Sequence, residues 1–129
     1  MPADPPPERL HPHGLLTGRL VEARVRVVYA VAGDLDHASA GALIRRVTAL
    51  AEGTVGDVVL DVSGVEFIDS VGLEVLIRVH RGLLDDGRRL VLRDPAPPVA
   101  RLLELTLLHH MLTVEGLPAG VGDMDPTTV

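Results

Sequence analysis

Ser70 is the residue in this chain best placed to do chemistry. It follows Asp69 at a point where the apolar pattern changes period. Ahead of it, Val58-Val59-Leu60-Asp61-Val62 is a short, β-branched run closed by Ser63-Gly64, and predicts a strand buried on both faces. A second apolar patch, residues 65–68, leads to Asp69. Beyond Ser70, Gly72, Val75, Leu76, Val79 and Leu83 recur at three- and four-residue steps, which is one face of a helix. Asp69 and Ser70 are both good N-caps, because their oxygens accept from the unpaired N–H groups of a first turn. Glu74 suits the positive end of the helix dipole, and Gly72 keeps the first turn free of side-chain bulk. The Ser70 hydroxyl therefore has two readings. It is a helix cap, or it is an acceptor of phosphate, held by helix N–H groups and adding about two negative charges beside Asp69.

Asp34, Asp36 and His37 form a second acidic loop, again after a strand pattern and before a helix. Asp36 either caps the helix that starts near Ser39, or presents its carboxylate to Ser70 or to an arginine of a partner. Other chemistries fit less well. Asp34, Asp36, Asp61 and Asp69 are oxygen ligands of the kind Mg²⁺ takes. A nucleophile elbow needs flanking glycines, and position 68 is Ile. None of the six histidines sits in a triad context, and His109-His110 are adjacent rather than at metal-ligand spacing. With no glycine-rich phosphate loop, no cofactor is expected, and neither are a metal or an enzymatic activity.

These loops need a scaffold. Residues 15–22 and 24–32 are strand candidates, expected to form a hairpin around Glu22-Ala23. In the second, Val25 and Val27 alternate with Arg24 and Arg26. Residues 33–37 read as a loop and Ser39 as a cap. Ala40, Leu43, Ile44, Val47 and Leu50 then make a helical stripe that ends at Gly53. The helix after Ser70 stops at Asp85-Asp86-Gly87. Residues 88–93 are a short strand, Pro95, Pro97 and Pro98 suit a helix start, and Val99, Leu102, Leu103 and Thr106 line that helix. Residues 111–114 are a last strand candidate. The order ββαβαβα(β) predicts a single α/β domain: a mixed, mainly parallel sheet with right-handed crossovers and helices packed against it. Both acidic loops then lie at strand C-termini, as neighbours on one edge. The domain is expected over residues 14–116, with a disordered arm before it (1–13) and a flexible tail after it (117–129).

Composition narrows the function. Of 129 residues, 47% are apolar, enough for one core, but only 2% are aromatic, too few for a base-stacking surface. A net charge of −6 argues against direct nucleic-acid binding. All 12 basic residues are arginine, which excludes lysine chemistry, and the lack of cysteine excludes thiol chemistry and disulfides. No apolar run is long enough to span a membrane and no secretory signal is visible, so the expected compartment is the cytoplasm.

Phe67-Ile68-Asp69-Ser70-Val71-Gly72-Leu73 closely resembles the signature of bacterial anti-sigma factor antagonists, single-domain members of the STAS group. Gly33-Asp34-Leu35-Asp36-His37 resembles that family's second signature, and the resemblance as a whole covers most of the chain, about residues 15–115. The resemblance implies that Ser70 is the phosphorylated serine, and that Asp34, Asp36, His37, Asp69, Ser70, Val71 and Gly72 form the partner surface. Where the family often has a second Ser or Thr, this chain has Val71, so Ser70 is the only hydroxyl of the motif. The implied partners are an anti-sigma factor with serine kinase activity and a metal-dependent serine phosphatase. An alternative from the same resemblance is a scaffold or regulatory subunit of a larger signalling assembly or transporter.

Overall fold

The structure, a computed structural model, describes residues 6–10, 12, 14–23 and 25–116. In chain order its elements are β1 (Glu8–Arg9), β2 (Leu16–Glu22), β3 (Val27–Leu35), α1 (Ala40–Glu52), β4 (Val58–Ile68), α2 (Ser70–Asp85), β5 (Leu90–Arg93), α3 (Pro97–Thr106) and β6 (Thr113–Glu115). They build one sheet in the order β1-β2-β3-β4-β5-β6. The pairs β1·β2 and β2·β3 are antiparallel, and β3·β4, β4·β5 and β5·β6 are parallel. This is the mixed, mainly parallel α/β sheet expected from the sequence.

Because each parallel strand is laid down on the same side of the last, right-handed crossovers place all three helices on one face. Side-chain alternation agrees. Val58, Leu60 and Val62 of β4 join the core with residues of α1, α2 and α3, whereas Val59 faces away and packs with Val28 and Val91. Val58, Val59, Leu60 and Val62 of β4 are thus buried, between β3 and β5, with Leu60 at 0% exposure, whereas Asp61 on the face away from the helices is only partly buried.

Several boundaries differ from expectation, each for a physical reason. Ser63-Gly64 does not end the strand: β4 runs through it to Ile68, with two register shifts against β3 that each take up an extra β4 residue. This longer β4 gives β3 a partner as far as Leu35, so Gly33, Asp34 and Leu35 are strand and not loop. Gly33 is required there, because its φ is 101° and a Cβ would lie 1.7 Å from the Leu15 carbonyl oxygen. The hairpin link is wider than Glu22-Ala23, with β3 starting at Val27 and Val25 77% exposed instead of alternating inward. Arg24, the first residue of that expected strand, lies outside the described residues. In α3 the inner stripe is Val99, Ala100 and Leu103, whereas Thr106 is exposed and bonds back to the Leu102 carbonyl.

Within the segment read as a disordered arm, Glu8 and Arg9 pair with Gly18 and Thr17 of β2. The cause is a side-chain cluster. The hydroxyl of fully buried Tyr29 donates to Glu8, Arg46 of α1 pairs with Glu8, and the Arg46 guanidinium lies 5.7 Å from the Tyr29 ring centroid. Residues 1–5, 11 and 13 of the arm, and the tail at 117–129, lie outside the described residues.

Candidate functional site

The parallel pairing of β3 and β4 brings the two acidic segments together. Leu35 pairs with Ile68, so the chain leaves both strands at the same level and enters α1 and α2 side by side. Asp69 N–H donates to the Leu35 carbonyl at 3.3 Å, which closes the junction.

Asp69 is the N-cap of α2. One carboxylate oxygen accepts the Gly72 N–H at 2.8 Å, and the other accepts the His37 N–H at 3.2 Å from the neighbouring loop. Burial works against ionisation of this carboxyl. The N–H groups of Gly72, His37 and Val71, with the His37 ring alongside, outweigh it and hold the pKa below the usual carboxylate range. The His37 ring nitrogen is 3.8 Å from Asp69 but the ring is largely exposed, so that ion pair adds little.

Because Asp69 holds the cap, Ser70 falls at the first helical position. It is exposed, and among the described residues its hydroxyl engages in no hydrogen bond within the chain. The reading of Ser70 as the cap is therefore corrected: Asp69 has that task. Val71 is 41% exposed beside it. Gly72 is buried, and a Cβ there would lie 2.3 Å from the Leu35 carbonyl oxygen, so glycine lets α2 start flush against the end of β3.

Asp36 caps the turn at residues 37–39 that leads into α1, which itself has no side-chain cap bond. Its Oδ1 accepts the N–H groups of Ala38 and Ser39 at 3.0 and 3.2 Å, and its carbonyl accepts the Ala40 N–H at 2.9 Å. Ser39, expected to be the side-chain cap, is fully buried. Its hydroxyl instead ties the turn, donating to the Asp34 carbonyl at 2.8 Å and accepting the Asp36 N–H at 3.1 Å. Asp34 thus enters the loop network through its backbone.

The structure brings Asp34, Asp36, His37, Asp69, Ser70, Val71 and Gly72 to one end of the β3–β4 pair. Asp61 does not join them: it sits mid-strand opposite Ala30 and Arg93. Among the described residues, no cluster of three or more His, Asp or Glu side chains could hold a metal ion. Sequence reading missed Phe67, the chain's one phenylalanine, which is 50% exposed at the end of β4. The β4 register shift between Gly33 and Asp34 precedes it, and no sequence signal marks that shift. It also missed His80, buried on α2.

The chain is thus an α/β module whose sheet carries its helices on one side and whose two acidic loops are joined through Asp69. The STAS domain family matches residues 19–117, and the chain belongs to that family. Solved structures share the fold. A Thermotoga maritima protein proposed as an anti-sigma factor antagonist is 24% identical, with a TM-score of 0.66, over 76% of this chain and 83% of its own. An anti-sigma factor antagonist from Mycobacterium paratuberculosis is 29% identical, with a TM-score of 0.65, over 78% of this chain and 85% of its own. The anti-sigma factor antagonist SpoIIAA, in its unphosphorylated form, is 17% identical, with a TM-score of 0.58, over 78% and 86%. No helix among the described residues is long and apolar enough to cross a membrane.

Proposed function

We propose that this protein is an anti-sigma factor antagonist and not an enzyme. Its unphosphorylated form binds an anti-sigma factor that is also an ATP-dependent serine kinase, and so frees a sigma factor. Phosphorylation of Ser70 ends that binding, and a metal-dependent serine phosphatase restores it, in the cytoplasm. The observation that carries this reading is the unused, exposed Ser70 hydroxyl at the start of α2, in a family whose relatives include anti-sigma factor antagonists.

The residues supply a switch. The first-turn N–H groups that would ordinarily neutralise a phosphate at this place are already shared by Asp69. A phosphate on Ser70 therefore adds about two negative charges to an acidic edge with little compensation. It also competes with Asp69 for the same donors and so loosens the Asp69–His37 tie. Charge and shape of the partner surface change together. Phe67 and Val71 supply exposed apolar contact area on either side of Ser70.

The test is phosphate incorporation from ATP by each anti-sigma factor kinase of the source organism, purified singly. Ser70→Ala keeps binding and loses incorporation. Incorporation that persists in this variant would place the acceptor elsewhere. The scaffold or regulatory-subunit reading is separated by the same assay, since it requires no kinase to act on Ser70.

A further inference from the structure

We infer that the hollow between the first turns of α1 and α2 seats one aliphatic side chain of the anti-sigma factor, an inference that rests on the function proposed above. The hollow is about 180 Å³, below the range of roughly 300–1,000 Å³ usual for small-molecule sites. Its apolar lining is Ala40 and Ile44 of α1 with Val71 and Val75 of α2. The charges at its rim, Glu74 and Arg78, are paired with each other at 3.3 Å, which leaves no unpaired charge of that pair to attract an ionic group. A space of this size and lining fits the end of a leucine, isoleucine or methionine better than a nucleotide or a peptide backbone.

Gly41 gives a second, independent indication. It lies in the first turn of α1, where glycine is a poorer helix former than alanine. Gly72 is glycine because the chain's own carbonyl fills the space. At Gly41 a Cβ would meet only the Arg45 Nη1 at 3.3 Å, the far end of a long side chain. Among the described residues nothing packs so as to require a glycine there, yet Gly41 is exposed and lines the hollow. The open lip is room for a body outside this chain.

The occupant follows from continuity. His37 and Val71 line the hollow, and both belong to the loops that flank Ser70. A side chain seated there belongs to the same macromolecule whose kinase site must reach the adjacent hydroxyl. A phosphate on Ser70 then acts at the wall of this hollow.

The experiment titrates wild-type protein and Gly41→Leu against the purified anti-sigma factor kinase that phosphorylates Ser70. The leucine adds bulk at a residue that lines the hollow and is a better helix former than glycine, so the melting temperature is expected to hold or rise. Binding is expected to weaken by about tenfold or more, as for loss of a central anchor. A photo-crosslinking residue at position 41 is expected to join the kinase. Wild-type affinity in Gly41→Leu overturns the hollow while leaving Ser70 as the switch. A crosslink to a second copy of this chain overturns it too. Failure of wild-type protein to bind any such kinase overturns the proposed function, and this inference with it.

Discussion

The Asp69 carboxylate joins two loops that are 32 residues apart in sequence: it accepts the His37 N–H at 3.2 Å while capping its own helix through Gly72 at 2.8 Å. Asp69→Asn keeps one acceptor oxygen and replaces the other with an amide donor, so one of these two bonds is lost. The expected cost is about 1–2 kcal/mol in urea denaturation, with faster amide exchange at His37. Wild-type exchange at His37 in this variant would show that the tie is not needed to order the loop.

The same carboxylate sets a pH dependence. Folding lowers its pKa, so the unfolded chain binds more protons than the folded one in the acid range. Its contribution is therefore present above the ordinary aspartate range and is lost as pH falls through the folded value. Denaturation midpoints measured between about pH 6 and 3 should fall less steeply in Asp69→Asn than in wild type. Parallel profiles would remove Asp69 as a source of the acid sensitivity.

Asp36→Asn separates capping from recognition. The carboxylate's intrachain bonds among the described residues all use Oδ1, which an asparagine retains. Stability is expected to change by less than about 0.5 kcal/mol. If Oδ2 meets an arginine of the anti-sigma factor, affinity falls by about tenfold, or ~1.4 kcal/mol. Unchanged affinity would take Asp36 out of the partner surface and leave it a cap.

Much of this was legible in the sequence. The change of period at Asp69 and Ser70 located the α2 start, and the doubly apolar run at residues 58–62 located the central strand, because burial leaves a pattern in residue type. What was not legible depends on contacts between distant segments. β4 continues through Ser63-Gly64 because β3 pairs with it, and two register shifts leave no compositional mark. Ser39 is a good cap by type, but its hydroxyl is drawn back to the Asp34 carbonyl and ties the turn before α1, and Asp36 accepts that turn's N–H groups. Glu8 joins the sheet through Tyr29 and Arg46, 21 and 38 residues away.

That last cluster is testable. Glu8→Ala removes the acceptor of a buried tyrosine hydroxyl and the partner of Arg46, and is expected to cost about 1–3 kcal/mol. Burial, together with Glu8, raises the Tyr29 pKa, so the hydroxyl stays protonated well into alkaline solution. A spectrophotometric titration should show Tyr29 ionising at lower pH in Glu8→Ala. An unchanged tyrosine titration and denaturation midpoint would mean that β1 contributes nothing to the fold.

Whether Ser70 is the switch is decided by the affinity of one anti-sigma factor kinase for this protein with and without phosphate on Ser70, measured by calorimetry at fixed salt. The phosphorylated form is expected to bind roughly hundredfold more weakly, a loss of about 3 kcal/mol, with an unchanged fold. Equal affinities for the two forms would contradict a switch at Ser70.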